Sequence, residues 1–111
     1  MVDMSKRILF IDDERDPPFT DMSDIDVARS SAEALKKLSE NEYGEIWLDH
    51  DLGGNDTIMP VIDFLAEMAF GGSPLQAGMV IHTANPAGRK SMATTLQRWD
   101  YRVRVLPATS W

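Results

Sequence analysis

Apolar residues in this chain gather in five short runs, and each run stops abruptly at polar residues. "RILFI" (7–11) is too short for a helix and apolar on successive positions, so it predicts a central strand covered on both faces. "IDVAR" (25–29) alternates and predicts a second, weaker strand. "EIWL" (45–48), "GMVIHT" (78–83) and "RVRVL" (102–106) predict the third, fourth and fifth. In the last of these, charge alternates with valine, the pattern of a strand with one solvated face.

Between the later strands the apolar period lengthens to that of a helix. Ser30 and Glu33 form a capping box, and Ala32, Leu35 and Leu38 follow on one face. Thr57 is an N-cap candidate for a second helix, with Pro60 in its first turn and Ile58, Val61, Ile62, Leu65 and Met68 as its apolar face. "GGSP" (71–74) ends it. Asn85 caps a third helix that has Pro86 at its first position and Met92, Leu96 and Trp99 on one side. "DERDPPFTDMSD" (13–24), with adjacent prolines, predicts a loop, and "GGNDT" (53–57) a flexible connection. Strands alternating with helices imply a parallel sheet of βα units with right-handed crossovers, here in one α/β domain over 1–111. Its layering would be three-layer-like with one layer incomplete.

Composition narrows the function classes. A chain of 111 residues with 43% apolar residues suits one compact core. It contains no cysteine, which rules out disulfides and thiolate metal sites and favours a cytoplasmic setting. The "MVDMSKR" start lacks a secretion-signal pattern, and no stretch is long enough to span a membrane. A net charge of −7 argues against non-specific binding to duplex nucleic acid and is easier to reconcile with a metal cation or a metal–phosphate ligand.

The polar residues at the strand ends carry the candidate chemistry. Asp12 and Asp13 follow strand one, Asp49, His50 and Asp51 follow strand three, and His82 and Thr83 close strand four. With strand order 2-1-3-4-5, those three ends are neighbours at the edge where open parallel sheets bind ligands. Crowded carboxylates raise one another's pKa unless a cation lies between them. Oxygen ligands suit Mg2+ or Mn2+, while histidine participation would favour Mn2+, Fe2+ or Zn2+. Arg15 and Arg89 are suited to phosphate oxygens, and the "HTANPAGR" stretch (82–89) adds a helix N-terminus. Blander readings stand beside these: Asp12, Asp13 and Asp51 as turn formers, and His50 as a structural hydrogen-bonder.

"ILFIDDE", "IWLDHDLGG" and "VIHTANPAGR" together resemble a response-regulator receiver domain, a flavodoxin-like fold, across nearly the whole chain. Asp12, Asp13, Asp49 and Thr83 fall where that family binds Mg2+ and accepts a phosphoryl group. Leu106, before Pro107, stands where receivers carry a lysine, and the usual first and last helices are missing. His50, Asp51, His82, Asn85 and Arg89 instead resemble a divergent group, the cyclic-phosphate processing receiver domains, which occur in phage and host-conflict settings.

The resemblance implies a metal-dependent phosphoesterase acting on a cyclic nucleotide or an RNA-end 2′,3′-cyclic phosphate. Asp12, Asp13 and Asp49 would hold the metal, with His50 or Asp51 completing its shell. His82 would protonate the leaving ribose oxygen, and Arg15, Arg89, Thr83 and Asn85 would hold the phosphate. The alternatives are a signalling receiver phosphorylated on Asp49 and an inert pseudo-receiver that binds a protein or nucleotide. Without a first and last helix, one sheet face needs cover from Phe19, Met22 and Trp111 or from a second protomer in a homodimer.

Overall fold

A computed structural model describes residues 7–107 of the chain. Five strands, β1 (Ile8–Ile11), β2 (Ile25–Ala28), β3 (Glu45–Leu48), β4 (Gly78–Ile81) and β5 (Val103–Val105), form one parallel sheet in the order β2-β1-β3-β4-β5. Three helices, α1 (Ser31–Glu40), α2 (Met59–Phe70) and α3 (Pro86–Arg98), link the strands from β2 onward. This is the flavodoxin-like receiver order. Residues 12–24 join β1 to β2 without a helix, and no helix follows β5 among the described residues. No helix there is long and apolar enough to cross a membrane.

Local chemistry accounts for the helix starts. Ser30 accepts the Glu33 N–H at 3.1 Å, and Glu33 reaches back to the Arg29 N–H at 3.2 Å. Asn85 Oδ1 accepts the Gly88 N–H at 2.9 Å. The second helix differs from expectation: Thr57 pairs with Asp51 in an isolated bridge, and Ile58 takes the cap position without a side-chain bond. The Thr57 hydroxyl still accepts the Met59 N–H at 3.3 Å, which satisfies one exposed donor. The "GGNDT" connection is bonded rather than loose. Leu52 N–H donates to Asp56 O at 3.0 Å, and Asp56 N–H to Gly53 O at 2.9 Å.

All three helices pack on the same face. Leu9, Ile11, Ile46, Leu48, Met79 and Ile81 point from the sheet into one core with Ala34, Leu38, Val61, Ile62, Leu65, Met92 and Leu96. The alternate positions, Phe10, Trp47 and Val80, form a separate buried layer on the helix-free face. Two layers therefore stand where an incomplete third was expected. The 12–24 segment covers part of the bare face: Phe19 meets Trp47 edge-on, with ring centroids 5.2 Å apart. Leu106 joins the same apolar layer. Met22 is 42% exposed and takes no part, and Trp111 lies outside the described residues. In β5, Val103 packs on the helix-side core while Arg104 lies over Trp47, as the alternation required.

Phe19→Ala should therefore cost about 1–2 kcal/mol, below the range for a fully buried Phe because this one is only partly buried. Urea unfolding of the variant measures it, and a loss of a few tenths would show that the segment is no roof.

Candidate functional site

The parity of the strands decides what gathers at their carboxyl ends. A side chain two residues past Phe10, Trp47 or Val80 points to the same face, so Asp12, Asp49 and His82 all cap the helix-free aromatic layer. Asp12, Asp13 and Asp49 each bring one carboxylate oxygen within 4.8 Å of the others. Asp12 is 1% exposed. Its Oδ1 accepts the N–H groups of Glu14 and Arg15, both at 2.9 Å, whereas its buried Oδ2 has no hydrogen-bond partner among the described residues.

Burial pushes the Asp49 carboxyl up to about 6, and the Asp12 charge beside it pushes the same way. Hydrogen bonds from the Thr83 hydroxyl and the His50 N–H oppose that rise without cancelling it. An orphaned buried oxygen, a strained acid and three hard oxygen donors fit a divalent cation of the Mg2+ or Mn2+ kind. No imidazole belongs to the group among the described residues.

Around these acids lies a cleft of about 290 Å3, lined by Asp12, Asp13, Glu14, Arg15, Asp49, Asp51, Gly53, Thr83, Ala84 and Asn85. Gly53 has φ 89°, and a Cβ there would stand 3.1 Å from Asp13 Oδ2, so glycine allows both the turn and its approach to the acid. A larger hollow, about 390 Å3, opens at the other end of the sheet. Leu38, Tyr43, Phe64 and Met68 dominate it, and it contains no comparable cluster of acids.

Four residues expected at the site stand elsewhere or act differently. His82 is fully buried and stacks on Phe10 with centroids 4.8 Å apart. Burial pushes it down to about 4, against the pull of Asp12, so it is neutral at pH 7 and no atom of it reaches the cleft. The structure places His82, expected as the proton donor, beneath Asp12 rather than along the cleft, with Nδ1 3.6 Å from Oδ2. Asp51 lines the cleft outside the acid trio, with its two oxygens engaged by His50 at 3.0 Å and Asn85 at 3.3 Å. His50 packs against Gly88 rather than facing the cleft. Arg89, one residue on from Gly88, turns about 100° away on the helix and does not line the cleft. Arg15, Thr83 and Asn85 do line it.

Two residues escaped the sequence reading. Arg29 donates to the carbonyls of Asp12 (3.2 Å) and Arg15 (2.6 Å) and to the Asp16 carboxylate (2.8 Å), clamping the acid-bearing loop. Its place at the end of a strand run was the available signal. Asp56 accepts the Ser31 N–H at 2.8 Å and so ties the β3–α2 loop to the start of α1. Within "GGNDT" it reads only as a turn former.

Protonation sets a testable pH dependence. The raised Asp49 contributes stability below 3.8 and loses it as pH rises through about 6. Buried neutral His82 works the other way, contributing above 6.5 and losing it as pH falls toward 4. The two oppose each other in the metal-free protein, so its melting temperature should change little between those values. With Mn2+ at a hundredfold excess over Kd, the melting temperature at pH 7.5 should rise by about 10 °C. The Kd should then weaken about tenfold per pH unit below 6, as protons compete for Asp49. Calorimetric Mn2+ titrations at pH 5, 6 and 7.5 check both, and a pH-independent Kd would rule out Asp49 as a ligand.

Among solved structures, response regulator protein TrrA from Thermotoga maritima, determined in complex with Mg2+ and BeF, matches with a TM-score of 0.63 at 24% identity. The match covers 95% of this chain and 89% of that one, and it establishes a shared fold. Comparison with curated protein sequences gives no match. The profile of the cyclic-phosphate processing Receiver domain matches residues 7–98, from the start of β1 to the end of α3, and the chain therefore belongs to that family.

Proposed function

We propose that this domain opens a cyclic phosphate ester, of a nucleotide or of an RNA end, with the help of a divalent cation held by Asp12, Asp13 and Asp49. The observation that carries the reading is the meeting of those three carboxylates in an open cleft rimmed by Arg15, Thr83 and Asn85. Membership of a family described as processing cyclic phosphates supplies the substrate class. A bound cation would neutralise the phosphate and activate water for attack on phosphorus. The Arg15 guanidinium, exposed on the rim, would pair with the non-bridging oxygens. Thr83 and Asn85 would fix the phosphate's orientation from the opposite rim.

As the P–O bond breaks, the departing ribose oxygen takes a proton. No histidine lines the cleft among the described residues, so that proton comes from solvent in this reading. Rate should accordingly lack a dependence on histidine titration.

A second reading, Asp49 as a phosphoryl acceptor, draws on Asp49 and Thr83 lining the same cleft. Leu106 counts against it, since the residue at the receiver lysine position packs into the apolar layer with Phe10, Trp47 and Val80.

Incubation with 2′,3′-cyclic and 3′,5′-cyclic mononucleotides and with RNA ending in a cyclic phosphate, plus Mn2+ or Mg2+, decides between the readings. Ring opening should be abolished by chelation, fall at least a hundredfold in Asp49→Asn, and fall about tenfold to a hundredfold in Arg15→Ala. If no ester opens and none binds in a metal-dependent way, the proposal fails. A stable adduct from acetyl phosphate, lost in Asp49→Asn, would establish the second reading instead.

A further inference from the structure

We infer that His50 and Asp51 are positioning residues: with Asn85 and Gly88 they close a latch between the β3–α2 loop and the first turn of α3, and this latch sets the Asp49–Thr83 side of the cleft. The inference uses the site proposed above but does not depend on the reaction assigned to it.

The latch is a ring of contacts. His50 Nδ1 lies 3.0 Å from Asp51 Oδ1, Asn85 Nδ2 donates to Asp51 Oδ2 at 3.3 Å, and the Gly88 N–H donates to Asn85 Oδ1 at 2.9 Å. The His50 ring, pressed against Gly88, completes it. A Cβ on Gly88 would come within 2.5 Å of both Cγ and Cδ2 of that ring, closer than any side chain tolerates. An ionised carboxylate only accepts hydrogen bonds, so the ring proton that bonds Asp51 sits on Nδ1.

Gly88 is the informative member. It lies inside α3 without a positive φ, so its backbone needs no glycine. Glycine in a helix is less favourable than alanine, and its presence at a buried position calls for a reason of space. His50 is that reason.

The backbone extends the latch into the site. His50 follows Asp49 directly in the chain, and its carbonyl accepts the Ile58 N–H at 2.8 Å at the start of α2. On the other side, the Asn85 N–H donates to Thr83 Oγ1 at 3.2 Å. Thus His50, next to Asp49, and Asn85, two residues past Thr83, are joined through Asp51, a side chain outside the acid trio. The sheet pairs β3 and β4 as far as Leu48 and Ile81, and the latch continues that tie beyond their ends.

A compensation experiment tests this, using His50→Asn because its amide nitrogen can replace Nδ1 toward Asp51 while freeing the space at residue 88. In metal-free protein, Gly88→Ala should lower the melting temperature by about 5–10 °C. The double variant His50→Asn/Gly88→Ala should melt higher than Gly88→Ala alone. Titration with Mn2+ alone should show Kd weakened about tenfold in Gly88→Ala and recovered in the double variant. Melting of Gly88→Ala at or above wild type, or simple addition of the two losses, would overturn the latch. Reduced melting with unchanged Mn2+ affinity would overturn the positioning role. Should wild type bind no Mn2+, the metal site above fails, while the melting comparison still judges the latch.

Discussion

Three carboxylates held together at the ends of neighbouring strands repel one another, and the surrounding structure keeps them together against that repulsion. Phe10, Trp47 and Val80 form the layer that Asp12 and Asp49 cap, so those acids sit on an apolar floor that weakens solvent screening and strengthens their interaction. Asp49 registers the strain as a raised pKa, and Asp12 keeps one oxygen without a hydrogen bond among the described residues. His82 belongs to the floor rather than the cleft: a neutral ring stacked on Phe10 completes the layer under Asp12 without adding a charge.

The segment between β1 and β2 links this electrostatic arrangement to the fold. Its first residues carry Asp12, Asp13 and Arg15, and further on Phe19 rests on Trp47. Arg29, at the far end of β2, grips the carbonyls of Asp12 and Arg15. Ordering the acids and covering the bare sheet face are therefore achieved by the same stretch of chain, where a standard receiver would use a helix.

Much of this was legible in the sequence because it depends on period and position. Apolar runs marked β1, β3 and β4, alternation marked β2 and β5, and Ser30 and Asn85 marked two of the helix starts, since side-chain capping leaves a local signature. Asp12, Asp13 and Asp49 were readable as a group because parallel topology brings strand ends together. The positions of His82 beneath Asp12 and of His50 against Gly88 were not readable. Whether a side chain at a strand end faces ligand or interior depends on what covers that face, and here a loop does so. Gly88 and Arg29 act through close approach across the fold, which single-chain spacing does not encode.

The outer strand has its own consequence. β5 lies at the border of a parallel sheet with one side of its backbone unpaired among the described residues, the kind of ribbon that invites a stranger's strand. Arg102 and Arg104 flank Val103 on that border; Arg104 also spans Trp47 and lies 3.7 Å from Glu45. Guanidinium groups at two alternate positions make sideways growth into ribbons or fibrils unfavourable. A small domain can in this way keep an open border soluble by charge, where bulk would otherwise have to shield it.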